Sequence, residues 1–448
     1  MIAFKSQNKL TGVQLIALGF FLLILGGTFL LMLPVSTKSG EATDFITALF
    51  TATSATCVTG LVLTDTFTHW TIFGQLVLLA LIQIGGLGFI TLGVSASLAL
   101  HKKIGLKARG NLQDSVNALQ LGGIVRLTKH ILKGTLIFEG IGAVLLSIRF
   151  IPKMGFITGI YYGIFHSISA FCNAGFDLMG RFSPGSSFTA YSGDWFVCLT
   201  LIALIVIGGL GFIVWENIYV YKLNFRRYSL HSKMVLSFTV FLILAGTLLF
   251  FFVEKDNTLL GKPFDEQLLC SLFGAVTPRT AGFNTVDNTA LTEGGKFLST
   301  VLMFIGGGPG STAGGVKVTT IFVLALSVRS TLTHTKGINI FGRRLTTDAP
   351  VKAAVVLFLN LSLSIAVGFI ICATQHFSLA DTMFEVISAI STVGMSAGLT
   401  GQLNLLSKIL IISLMYIGRV GSLSFALAFT DKKNTAHIMQ PEETINIG

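Results

Sequence analysis

The stretch Thr53–Ser54–Ala55–Thr56–Cys57–Val58–Thr59–Gly60 recurs three times in altered form, and that repetition restricts the possible folds more than any other feature of the chain. Its relatives are Ser167–Gly175, Ala275–Gly282 and Ser388–Gly394. Each is a weakly polar segment of mostly small residues that ends at a glycine. Each is preceded by one long apolar run and followed by another. Runs beyond roughly 18 apolar residues have the length of membrane-spanning helices. The segments leading to the glycines, about Ala42 to Thr56, Thr158 to Phe171, Asp265 to Thr277 and Leu379 to Ser391, are too short to cross about 30 Å of hydrocarbon. They read as re-entrant half-helices.

The totals agree with a membrane setting. Of 448 residues, 52% are hydrophobic and 11% charged, with a mean hydropathy of +0.78. A soluble domain carries about twice that charged fraction. The net charge of +11 does not point to nucleic acid, because the basic residues are scattered among short loops. Basic residues gather in cytoplasmic loops of membrane proteins, which accounts for the excess. The cysteines (Cys57, Cys172, Cys198, Cys270, Cys372) lie in or beside apolar segments without a C-x-x-C pair, so they predict packing rather than zinc or disulfides. The first apolar run, Thr11 to Leu33, is too long for a secretory signal core and predicts a retained helix.

The chain divides into four comparable units, 1–110, 111–228, 229–345 and 346–448. Their ascending helices are predicted at about Thr11 to Leu33, Leu127 to Phe150, Met234 to Val253 and Lys352 to Thr374. The descending spans are predicted at Thr71 to Leu100, Trp195 to Tyr221, from Phe297 onward, and Leu405 to Phe429. Ile84–Gly85–Gly86–Leu87–Gly88–Phe89–Ile90 reappears residue for residue at Ile207–Ile213, which implies duplicated structure. In the third unit the descending span is interrupted by Gly306, Gly307, Gly308, Pro309, Gly310, Ser311, Thr312, Ala313, Gly314 and Gly315. Glycine costs about 1 kcal/mol and proline about 3 in a helix interior, so no straight helix survives this run. Broken backbone at membrane depth is tolerated only where protein or a water-filled cavity covers it.

Orientation follows from the basic residues. Lys102, Lys103, Lys107 and Arg109, then Lys222, Arg226, Arg227 and Lys233, then Arg329, Lys336, Arg343 and Arg344 lie between units, and Lys432 and Lys433 lie in the tail. Asp65, Asp177, Glu254, Asp256, Asp287 and Glu293 lie within units. Both termini are therefore expected in the cytoplasm, with the glycine turns opening outward. The expected fold is all-α and integral to the membrane: four pseudo-symmetric helix–pore loop–helix units, eight spans and four half-helices around one pore.

Glycine tolerates positive φ without a Cβ clash, and rings of backbone carbonyls can replace the water around a cation. Val58, Thr59, Gly60, Asn173, Ala174, Gly175, Thr280, Ala281, Gly282, Thr392, Val393 and Gly394 are thus the candidate ion-binding residues, acting through main-chain oxygens. A single such glycine would be an ordinary helix cap; four at equivalent places favour a filter for a monovalent cation. The interrupted segment 306–315 is the candidate gate. Arg419 joins it, since a charge deep in a span usually faces the bundle interior. Small-residue packing remains an alternative for Gly85–Gly88 and Gly208–Gly211. Glu139 is assigned no role, a basic neighbour being one partner open to it. No nucleophile–base set or metal spacing marks an enzyme. Among transporters, the alternative is a secondary carrier with a midplane site between inverted halves.

Together, four single filter glycines, an interrupted span in the third unit and an arginine in the fourth resemble the Trk/Ktr/HKT superfamily of potassium transporters. Over essentially its whole length the chain is most similar to the bacterial KtrB membrane subunits. That resemblance implies K⁺ uptake, often Na⁺-dependent, by a homodimer with one pore per subunit. It also implies control by a cytoplasmic ring of KtrA-like regulatory subunits carrying nucleotide-binding domains. No covalent cofactor is implied, and nucleotide would act only through the partner. By the same pattern, glycine rather than serine at Gly60 goes with K⁺ preference. Arg279, beside the third turn, departs from the pattern.

Overall fold

The computed structural model describes residues 12–88, 124–222, 224–335 and 337–422. The basic residues Lys102, Lys103, Lys107, Arg109, Lys336, Lys432 and Lys433, and the distal parts of the first and fourth descending spans, lie outside them. The described chain is helical apart from a two-residue antiparallel pairing of Asn339–Ile340 with Arg343–Arg344.

Each quarter of the chain lays down a long helix, a shorter one and another. The first gives α1 (Gly12–Met32), α2 (Phe45–Thr56), the single turn α3 (Thr66–His69) and α4 (Ile72–Leu87). The second gives α5 (Ile124–Met154), α6 (Phe156–Phe171), α7 (Trp195–Leu210) and α8 (Phe212–Tyr221). The third gives α9 (Leu230–Glu254), α10 (Phe264–Val276), α11 (Glu293–Phe304) and α12 (Val318–Leu332). The fourth gives α13 (Asp348–Gln375), α14 (Leu379–Ile390) and α15 (Leu405–Val420). Helices α1, α5, α9 and α13 are long and apolar enough to cross a membrane, and α7 with α8 adds a bent fifth.

Local chemistry sets the starts. The Asp44 carboxylate accepts from the N–H groups of Ile46 and Thr47 at 3.0 and 3.3 Å, opening α2. Helices α4, α7, α11 and α15 are likewise capped by Thr71, Asp194, Thr292 and Asn404. Such a cap satisfies an N–H that the first turn leaves without an intrahelical acceptor, and is worth about 1 kcal/mol.

The packing order is circular. Helix α4 packs on α6, α7 on α10, α11 on α14, and α15 returns to α2. The shorter helices occupy the interior: Phe50, Phe165, Phe171, Phe273 and Phe384 are wholly buried. The long helices present the opposite face outward, with Leu22, Phe29, Val144, Leu244, Phe252, Phe358 and Phe369 exposed. An apolar belt of this extent belongs in lipid.

The descending helices of the first, second and fourth quarters differ from the straight spans that the sequence predicts, while the third is interrupted as expected. Helix α4 stops at Leu87 before Gly88 (φ 81°), and α15 stops at Val420 before Gly421 (φ 95°). Between α7 and α8 the axis turns by 97° at Gly211, whose φ is 100°. The cause is the inserted third-quarter segment: Phe212 N–H donates to the Gly310 carbonyl at 2.8 Å, and a Cβ on Gly211 would sit 2.6 Å from the Pro309 oxygen.

Candidate ion pathway

Four turns follow the buried helices α2, α6, α10 and α14. At the first, Val58 N–H donates to the Ala55 carbonyl and Thr59 N–H to that of Ser54, at 3.2 and 2.8 Å. This is a Schellman closure, which needs a left-handed residue just past the helix end. Val58 takes that conformation with φ 57°. Asn173 (φ 59°) and Thr392 (φ 52°) do the same, with matching hydrogen bonds from Ala174 to Ser169 and from Val393 to Ser388. The third turn is one residue tighter: Thr280 (φ 75°) precedes Ala281, whose N–H donates to Thr277 at 2.9 Å. Side-chain oxygens of Ser54 and Ser388 then accept from the N–H groups of Gly60 and Gly394 at 3.0 and 3.1 Å.

All four glycines have positive φ: 97° at Gly60, 70° at Gly175, 83° at Gly282 and 93° at Gly394. They also close on one another. A Cβ on Gly60 would lie 2.5 Å from the Ala174 oxygen, on Gly175 2.8 Å from that of Ala281, and on Gly282 2.5 Å from that of Val393. A Cβ on Gly394 would collide with the Thr59 oxygen. The structure thus brings the four glycines and the residue before each into one ring. Asn173 and Thr280 also meet, amide to hydroxyl, at 3.2 Å. Arg279 is turned away from this ring: it is buried against α9 and donates to the Thr239 hydroxyl at 3.2 Å.

All four glycines line the floor of one cavity of about 660 Å³. Asp65, Asp177 and Asp287 line its walls, with Ser187, Asn284, Ser396 and Thr400. Burial and then the neighbouring Asp65 charge push the Asp177 carboxyl up to about 6, against the pull of the Met179 N–H.

On the other side of the turns lies the segment 305–317. Ile305 and Val316 form a parallel bridge at its neck. Gly308 N–H donates to the Gly209 carbonyl at 2.8 Å, and the Thr312 hydroxyl to that of Phe171 at 3.2 Å. A Cβ on Gly314 would collide with the Thr392 side chain. The Arg419 guanidinium donates to the Thr312 carbonyl and to those of Gly85 and Gly86, the last at 3.0 Å. It therefore joins α15, the inserted segment and the free carbonyl end of α4, where cations are favoured. Lys317 Nζ reaches the Ala313 carbonyl at 2.7 Å. Every residue of 306–315 and Arg419 thus falls within one assembly.

Gly85, Gly208 and Gly418 have a specific reason to be glycine. A Cβ on each would collide with the last carbonyl of a buried helix: Thr56, Phe171 and Ile390 respectively. Among the described residues Glu139 forms no ion pair with a basic side chain. Its carboxylate accepts from the Gln83 amide at 3.2 Å and faces the Cys172 thiol. The sequence reading also missed the left-handed residue two positions before each glycine, since valine and threonine give no signal for φ > 0.

Comparison with known proteins is consistent with this geometry. The sequence profile of the TrkH family, described as cation transport protein, matches residues 6–439. The chain is 41% identical to the potassium/sodium uptake protein NtpJ of Enterococcus hirae, over 99% of each chain. It is 40% identical to the Ktr system potassium uptake protein B of Bacillus subtilis, over 98% of this chain and 97% of that one. Its fold matches the crystal structure of the potassium transporter TrkH from Vibrio parahaemolyticus with a TM-score of 0.74, at 19% identity, over 96% of this chain and 87% of that one. The chain belongs to the TrkH family of cation transport proteins.

Proposed function

We propose that the chain takes up K⁺ across the cell membrane through a single pore formed by its four quarters, with eight spans and four re-entrant half-helices. One observation carries the reading: four glycines, each abutting the carbonyl before the next, close a ring on the floor of an acidic cavity. Val58–Gly60, Asn173–Gly175, Thr280–Gly282 and Thr392–Gly394 supply main-chain oxygens that replace the ion's hydration. Asp65, Asp177 and Asp287 concentrate cations at the mouth. The names of the relatives, potassium uptake and potassium/sodium uptake, agree with this cargo.

The segment 306–315 is the gate. It lies against the cytoplasmic side of the turns, and Arg419 holds it there through charge-assisted hydrogen bonds, each worth about 1.5–3 kcal/mol. Control comes from a cytoplasmic regulatory subunit of the Ktr type that carries the nucleotide site, and the membrane subunit works as a homodimer with both termini in the cytoplasm. Sodium acts as a coupled or activating ion.

The test is ⁸⁶Rb⁺ and ²²Na⁺ flux into proteoliposomes holding the purified protein, with and without the regulatory subunit. Wild type admits Rb⁺ in preference to Na⁺. Gly60→Ser lowers that preference by about tenfold or more, a change of about 1.4 kcal/mol. No flux under either condition, or an unaltered preference in the variant, overturns the proposal.

A further inference from the structure

The residue three positions before each ring glycine is, in chain order, Cys57, Cys172, Arg279 and Ser391. Three of these are small, and at two the surroundings show why. A Cβ on Gly86 would sit 2.7 Å from the Cys172 sulfur, and one on Gly315 would sit 3.1 Å from the Ser391 Cβ, so neighbouring chain presses on both positions. At the third turn a long charged side chain runs outward to α9 instead. The stretches Thr53–Gly60, Ser167–Gly175 and Ser388–Gly394 hold no basic residue, so the third turn alone carries a cation of its own.

Arg279 is 7% exposed. Its Nη2 donates to the Thr239 hydroxyl at 3.2 Å, and its Nε is buried without an acceptor. Among the described residues it forms no ion pair with a carboxylate. A guanidinium stays protonated in proteins, so this charge is fixed. A buried charge without a partner is costly, and its field is screened far less than that of a charge in water. The Arg279 N–H donates to the carbonyl of Val276, the last residue of α10, at 3.0 Å, which sets the residue at the end of that helix. Each short buried helix presents partial negative charge at the end that leads into the ring. In the third quarter the guanidinium offsets it, whereas in the other three no side chain of the turn does. The next residue, Thr280, begins the third quarter's set of ion-binding oxygens proposed above.

We propose that Arg279 is an affinity-setting residue of the uptake reaction: its unpaired charge behind the third turn weakens cation binding in the ring of glycines and so speeds release of the ion. This rests on the cation-uptake reading. A pore conducts only if its sites hold an ion weakly enough to let it leave. Arg279 does not touch the ion; it acts through the field it lays across one quarter of the ring.

Two measurements test the assignment: the concentration dependence of ⁸⁶Rb⁺ uptake into proteoliposomes, and equilibrium ⁸⁶Rb⁺ binding to the purified full chain. Arg279→Gln is expected to lower both the half-saturating Rb⁺ concentration and the dissociation constant by roughly fivefold or more, and to lower the maximal rate. Arg279→Lys keeps the charge and should return all three towards wild type, which a purely steric role for the side chain would not do. Should Arg279→Gln fail to fold, Thr239→Glu carries the test. It sets a carboxylate beside the guanidinium and is expected to tighten Rb⁺ binding in the same direction. Rb⁺ binding unchanged or weakened in these two variants, or Arg279→Lys as altered as Arg279→Gln, overturns the assignment and leaves Arg279 as a packing residue. Neither binding nor uptake by wild type would instead overturn the uptake reading on which the assignment rests.

Discussion

Val58 and Thr392 are β-branched residues in left-handed conformation, a combination that costs of order 1–3 kcal/mol and persists only where the surroundings impose it. At Val58 the imposition is visible. The side chain is 1% exposed in a cluster with Ala55, Phe171 and Cys172, a burial worth about 1.5–3 kcal/mol, so packing offsets strain of the same size. Val58→Ala discards the burial and keeps the strain, and thermal unfolding should register a loss of about 2 kcal/mol. Val58→Gly discards the same side chain but relieves φ. It should be the more stable of the two, the reverse of their order in an ordinary helix. At the mouth, Asp177 titrates near pH 6. Its raised value means that it takes up a proton as pH falls through about 6, and the cavity then loses negative charge. Rb⁺ uptake at subsaturating ion should decline across that range, and Asp177→Asn should flatten the profile.

Among the elements, the short buried helices before the glycine turns were the most legible. Their apolar length is too short to span, and the glycine that follows each one marks its stop, so predicted and observed ends agree within a residue. The break in the third descending helix was legible from its glycines and proline, whereas those in the first, second and fourth were not. A glycine in an apolar run lowers helix propensity by only about 1 kcal/mol, and Gly208–Gly211 reads equally well as a packing face. What bends the chain at Gly211 is the Pro309–Gly310 backbone, supplied from a distant part of the sequence. The same ambiguity hid the role of Gly85, which exists to let α4 reach the end of α2. Gly85→Ala should destabilise the protein by about 1–3 kcal/mol through overpacking, measurable as a lower melting temperature. Arg419 was legible as a buried charge, while its acceptors were not, because backbone carbonyls have no sequence signature. Arg419→Gln should loosen the inserted segment and raise basal Rb⁺ flux several-fold.

In the whole molecule, α4 packs on α6, α7 on α10, α11 on α14 and α15 on α2, and the two largest buried clusters each draw residues from three quarters. The inserted segment 305–317 breaks the equivalence of the quarters. Deleting Gly308–Ala313 should raise flux without loss of ion preference, because the ring of glycines does not depend on that stretch for its own hydrogen bonds. The ring has one more property. Each glycine leans on the oxygen of its successor, not on its own, so a methyl group added at Gly282 would displace Val393, and one added at Gly394 would displace Thr59. Lesions are handed clockwise or anticlockwise to a neighbour, and a repair should be sought one station further round than the damage.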